Sequence, residues 1–194
     1  DNIEQNITSI IGEGEATIQL SDGWYGSLEA FYRNKGYWIR SQSIDTLNFS
    51  WNIPDTEMLF ANLPRKVDKI AVPEHLEFKQ SMKQSFYFIE NIILENEDIV
   101  VTSNDWIVAY NNNTVIGARK WNGRYTDIPT MGFDGTDMTS EYCREGEVPK
   151  YKLYLESTGE FISLDSKHIV PWSDLSTIIV SRLNESIPVP DSFE

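Results

Sequence analysis

Trp106-Ile-Val-Ala-Tyr-Asn-Asn-Asn-Thr-Val-Ile-Gly-Ala-Arg-Lys-Trp121 reads as two strands about a turn. Trp106 to Tyr110 and Thr114 to Trp121 are short apolar runs rich in β-branched and aromatic residues. Asn111-Asn-Asn113 between them tolerates the positive φ that a tight hairpin demands. The same punctuation recurs on both sides. Tyr151-Lys-Leu-Tyr-Leu155 turns through Ser157-Thr-Gly159 into Glu160-Phe-Ile-Ser-Leu164, and Ala16-Thr-Ile-Gln-Leu20 turns through Ser21-Asp-Gly23 into Trp24-Tyr-Gly-Ser-Leu28. Asn34-Lys-Gly36 leads into Tyr37-Trp-Ile-Arg40. Leu47, Phe49, Trp51 and Ile53 alternate with Asn48, Ser50 and Asn52, the pattern of a half-buried strand, and Pro54 ends it because proline brings no ladder donor. No long amphipathic helix is written into the chain. The fold class is all-β, with two β-sandwich-like domains of antiparallel strands.

The boundary falls near residue 72. Residues 54–73 mix Pro54, Pro64 and Pro73 with charges and hold at most one helical turn, from Glu57 to Asn62. Residues 1–72 form a small β domain and 73–194 a larger β-sandwich domain. The longest apolar run, Ser85-Phe-Tyr-Phe-Ile-Glu-Asn-Ile-Ile-Leu94, belongs to the second, with Ile99-Val-Val101 as a further strand. Residues 122–149 read as a long polar stretch between strands. Asp174-Leu-Ser-Thr-Ile-Ile-Val-Ser-Arg-Leu183 closes the core, and its β-branched residues favour a strand over a helix.

Charge narrows the range of partners. The 194 residues carry 16 basic and 30 acidic side chains, a net charge of −14. That field opposes phosphate backbones and anionic membrane surfaces, so nucleic acid is not an expected partner. No apolar run reaches the roughly 18–20 residues of a membrane span, so no membrane insertion is expected. Cys143 is the single cysteine, and His75 and His168 are the only histidines. A disulfide, a thiolate zinc site and a histidine-based triad therefore lack material, and the chain reads as non-enzymatic. Cys143 itself reads as a buried, inert thiol. The chain starts at Asp1 without Met, which reads as a processed mature chain.

Two places suggest ligands. Asp127-Ile-Pro-Thr-Met-Gly-Phe-Asp134-Gly-Thr-Asp137-Met-Thr-Ser-Glu141 is an acidic loop, and calcium takes six to eight oxygens from closely spaced carboxylates and carbonyls. Asp134, Asp137 and Glu141 are the candidate calcium ligands; side chains capping loop amides are the competing reading. The EF-hand spacing is absent. Of the six tryptophans, five lie in or beside strands, where burial is the common fate. Trp172, in Pro171-Trp-Ser, is the expected exposed platform for a sugar ring.

Ile11-Gly-Glu-Gly-Glu-Ala16 with Gly23-Trp-Tyr-Gly-Ser-Leu28 and Gly36-Tyr-Trp38 resembles a small β module of large secreted proteins of marine and environmental bacteria. Asp105-Trp-Ile-Val-Ala-Tyr-Asn111, Gly117-Ala-Arg-Lys-Trp121, Thr126-Asp-Ile-Pro-Thr-Met-Gly132 and Gly146-Glu-Val-Pro-Lys-Tyr-Lys-Leu-Tyr154 resemble a second module often found beside it. Ile187-Pro-Val-Pro-Asp-Ser-Phe193 looks like the linker before a C-terminal sorting domain of the Por-type (type nine) secretion pathway, which is cut off on export. The resemblance implies an extracellular or cell-surface protein, and it brings no catalytic residues. In that resemblance the first module opens with an apolar Gly-Trp-Asn-Trp-like strand, whereas Asp1 to Ser9 here is too polar to be one. A sheet short of a strand invites another chain to pair with it. The expectation is a secreted structural subunit that forms a homopolymer head to tail by strand donation, with residues 1–11 favoured as donor over residues 175–190. The alternative is a carbohydrate-binding module that holds a polysaccharide through Trp172.

Overall fold

Every residue of the strand Gln84–Ile89 (β5) is buried, because a sheet packs against each of its faces. The computed structural model describes residues 3–32, 34–43 and 72–186. The strand read at 47–53, the helical turn read at 57–62 and the linker-like tail from residue 187 lie outside the described residues. Phe86 and Phe88 point toward a four-stranded sheet and share a core with Ile11, Ala16, Ile18 and Tyr125. Tyr87 and Ile89 point the other way, into the main core with Ile107, Ile116, Leu153 and Leu183. A continuous apolar run is what a strand buried on both faces requires.

Three sheets follow. Ile7–Ile11 (β1), Ala16–Leu20 (β2), Gly23–Gly26 (β3) and Trp38–Ser41 (β4) make an antiparallel sheet in the order β3-β2-β1-β4. After residue 72 come β5, Ile92–Ile93 (β6), Trp106–Asn111 (β7), Thr114–Lys120 (β8), Thr126–Met131 (β9), Lys150–Leu155 (β10), Glu160–Asp165 (β11), Thr177–Val180 (β12) and Leu183–Glu185 (β13). These form a six-stranded sheet, β6-β13-β11-β10-β7-β8, and a three-stranded sheet, β12-β5-β9. The three-stranded sheet is the middle layer. The all-β, sandwich-like and antiparallel-rich architecture holds, and among the described residues the strands before position 72 segregate from those after it.

Four local outcomes differ from the sequence reading. First, β1 starts at Ile7, inside the stretch read as too polar for a strand. It is paired on both edges, with β2 through Ser9↔Ile18 and with β4 through Ile10↔Ile39, and its Ile10 and Ile11 are buried. An inner position of the small sheet is thus filled by the chain's own β1, and among the described residues β3 and β4 are its outer strands. Second, the runs 85–94 and 174–183 are not single strands. Each bends from the middle sheet into the six-stranded one, and they do so side by side, β12 parallel to β5 and β13 parallel to β6. The Glu90 amide donating to Val180 at 2.9 Å and the Leu183 amide donating to Asn91 at 2.9 Å carry the pairing around the corner.

Third, the polar stretch 122–149 contains β9, all six residues of which are buried. Two features make this possible. Pro129 is tolerated because β9 is an outer strand of its sheet, and buried Asp127 is paired with Arg119. Fourth, residues 99–101 form no strand: Ile99 and Val101 pack on the core while Val100 points to solvent. At one further point the layers close almost to contact. A Cβ on Gly117 of β8 would lie 1.5 Å from the Pro129 carbonyl oxygen of β9, so glycine is needed where the two sheets meet.

Candidate functional site

Asp134 follows β9 and gathers the turn after it. Its Oδ1 accepts from the Thr136 amide at 3.1 Å, the Thr136 hydroxyl at 2.8 Å and the Thr139 hydroxyl at 2.6 Å, while Oδ2 accepts from the Met82 amide at 3.2 Å. Those donors, the Thr139 hydroxyl foremost, hold its carboxyl well below the usual carboxylate range. Asp137, at the start of the 3-10 turn Asp137–Thr139, and Glu141 are both exposed. Among the described residues, no group of three or more His, Cys, Asp or Glu is placed to hold a metal ion. The contacts at Asp134 are those of a side chain capping loop amides.

Trp172 is not a surface platform. It is 2% exposed, its indole N–H donates to the Thr130 carbonyl at 2.9 Å, and its ring lies against Gly132, where a Cβ would come within 2.2 Å. The exposure expected from its loop is therefore corrected. The Trp172 amide donates to Glu147 at 2.7 Å and the Gly146 amide donates to the Trp172 carbonyl at 3.0 Å, which draws the loop inward. Cys143 is fully buried, and burial pushes its thiol up to about 12. A thiol so placed carries no thiolate at neutral pH.

The accessible chemistry sits on the outer face of the six-stranded sheet, where His75, Lys120, Lys152, Tyr154 and Phe161 surround a buried centre of Trp106, Val108 and Ala118. Cross-strand register lines up Lys120, Trp106, Tyr154 and Phe161 in one row across β8, β7, β10 and β11. One step along is a second row: Ala118, Val108, Lys152 and Ser163. Residues 72–78 cross this face as a strap, with Leu76 buried against Trp106, Val108 and Tyr110. The strap sets the His75 ring 4.7 Å from Tyr154 and 6.1 Å from Phe161, and the last two rings lie 4.9 Å apart. Lys152 Nζ sits 5.0 Å from the Tyr110 ring and 5.9 Å from the Phe161 ring, and Lys120 Nζ 5.6 Å from that of Trp106. Each geometry is a cation–π contact. Single-residue reading could not find this set, because the register that assembles it spans four strands and the strap.

A second accessible feature is β4. Among the described residues it ends the small sheet, all four of its residues are exposed, and it presents Trp38 and Ile39, with Phe31 and Tyr32 exposed as well. Phe31 and Tyr37 pack edge to face at 4.7 Å, and the Tyr37 hydroxyl accepts from the Tyr32 amide at 2.7 Å. No helix of the described residues is long and apolar enough to cross a membrane. Comparison of the chain with protein-family models, with curated proteins and with solved structures found no match.

Proposed function

We propose that the protein is a secreted structural subunit of an extracellular assembly, and that copies join head to tail by exchanging β1. The observation that carries this reading is the place of β1. It is joined to the next strand by one short turn and occupies an interior position of the small sheet, hydrogen-bonded on both edges. Only residues 12–15 connect it to β2, closed by the Gly12 amide donating to Glu15 at 2.8 Å. A sister copy's β1 inserted between β2 and β4 would remake the same ladders and the same burial of Ile10 and Ile11. Exchange of an identical element is a low-cost route to assembly, and a heterologous contact that does not close gives a fibre. The C-terminal donor is less favoured, since β12 and β13 bind the middle sheet to the six-stranded one.

Ile7 and Ser41 face each other across β1 and β4, so an Ile7→Cys/Ser41→Cys chain reads out the exchange. The reading predicts fibres by negative stain and, on oxidation, a ladder of covalent multimers in non-reducing gels. A monodisperse monomer by light scattering, or disulfides formed wholly within single chains, would overturn it.

A further inference from the structure

We infer that the outer face of the six-stranded sheet is a binding site for an acidic polysaccharide, independently of how subunits assemble. The charge pattern is the first argument. In a chain with 30 acidic and 16 basic side chains, the outward positions of β7, β8 and β10 include Lys120, Lys150 and Lys152 and no carboxylate. None of the three lysines is ion-paired with a described carboxylate. The acidic groups near it are Glu74 and Glu77, exposed on the strap that crosses the face, and Asp165 at the end of β11.

The second argument is the mixture of groups. Phe161 is 42% exposed and meets Tyr154 and His75 in one ring cluster, with the Lys152 ammonium 5.9 Å from the Phe161 ring. A uronic-acid sugar carries an apolar C–H face and a carboxylate on one rigid ring, so it fits rings and an ammonium at that spacing. An acidic peptide supplies the carboxylates without the flat apolar face. A neutral glucan supplies the face without the charge. The net charge of −14 does not forbid contact, because at physiological salt charges farther off than about 8 Å are screened and the local lysines dominate. The site has nothing to do with Trp172, which is buried, and its two lysine rows make binding sensitive to salt.

The test uses the whole chain in affinity gels containing polygalacturonate, dextran or poly-L-glutamate. Polygalacturonate retards the protein, the retardation is lost between about 50 and about 500 mM salt, and dextran and poly-L-glutamate leave migration unchanged. Lys152→Gln, at a lysine with no ion pair to a described carboxylate, weakens polygalacturonate binding about tenfold, the loss expected for one charge-assisted contact, with an unchanged melting temperature. In the unaltered protein, polygalacturonate perturbs the His75 and Phe161 ring resonances, which keeps the test open should a variant fold poorly. No retardation by polygalacturonate, binding indifferent to Lys152→Gln, or ring resonances that do not move would overturn the inference. Equal retardation by poly-L-glutamate would overturn it in favour of an acidic protein partner, and equal retardation by dextran would show that charge plays no part.

Discussion

The Arg119 guanidinium donates to the Asp127 carboxylate at 3.1 Å, and between them they bind all three layers. Arg119 also donates to the Asp127 carbonyl at 3.0 Å and to the Gly14 carbonyl at 2.8 Å, while Asp127 accepts from the Ser27 hydroxyl at 2.7 Å. Gly14 and Ser27 belong to the small sheet's loops, Asp127 to the middle sheet and Arg119 to the six-stranded one. The pair stands where apolar side chains alone would leave loop carbonyls without donors.

Removing Arg119 leaves the Asp127 carboxyl buried without a counter-charge, held by the Ser27 hydroxyl, so Arg119→Ala is expected to cost about 3 kcal/mol in urea unfolding. Burial pushes the Asp127 carboxyl above its ordinary value, with Arg119 and Ser27 opposing. The folded protein therefore holds that proton more tightly than the unfolded chain. Its contribution to stability grows as pH falls through the raised folded value and levels off below the unfolded value of about 4. The deficit of Arg119→Ala is accordingly largest near neutrality and shrinks toward about pH 4. An unfolding deficit that is flat across that range would rule out a buried, unpaired carboxylate as its cause.

Gly117→Ala sets a methyl group against the Pro129 carbonyl oxygen, at a separation only a backbone shift can relieve. The expected loss is at least about 3 kcal/mol, at the upper end of overpacking effects. Because β8 and β9 must part, amide exchange should quicken at Ala118 and Thr130 before it does in β10. Wild-type melting of this variant would mean that the two sheets are not held so close in solution.

Trp172 offers a graded series. Trp172→Ala removes a buried ring and should cost about 3–5 kcal/mol, whereas Trp172→Phe keeps most of the volume and loses the indole hydrogen bond to the Thr130 carbonyl, at about 1 kcal/mol. Both variants should bind polygalacturonate like the parent protein at temperatures where they remain folded. Loss of binding by folded Trp172→Phe would return this residue to the surface.

Cys143 gives a clean probe of global opening. Its thiol is buried and pushed up to about 12, so Ellman's reagent at about pH 8 should find it unreactive until the protein unfolds. Modification should then track urea unfolding, one thiol per chain. Rapid modification of the native protein would show that the core around Tyr142 and Trp172 opens locally.

The hairpin from Trp106 to Lys120 was legible because local signals agree there: two apolar runs and an asparagine turn, in which Asn112 does take a positive φ of 51°. The hairpin from Lys150 to Asp165 was legible for the same reason. By contrast, β9 hid behind Asp127, Pro129 and Thr130, residues that join a core only when an arginine on the neighbouring strand and an outer-strand position make room for them. The corner at Glu90-Asn91 hid because both of its arms are apolar and a bend between sheets leaves no periodicity of its own. Trp172 misled for a similar reason: its loop is rich in proline and serine, but the cleft that takes the ring is made by Gly132, forty residues earlier. The lysine and aromatic face is a product of register, which no single stretch of sequence encodes.

The middle sheet, with side chains committed in opposite directions, also governs how the gene can be cut. Although strands on either side of position 72 keep to their own sheets, Phe86 and Phe88 belong by packing to the earlier half and by sequence to the later one. A recombination event that took only the later half would carry away two naked phenylalanines. The half left behind would be a sheet without a floor.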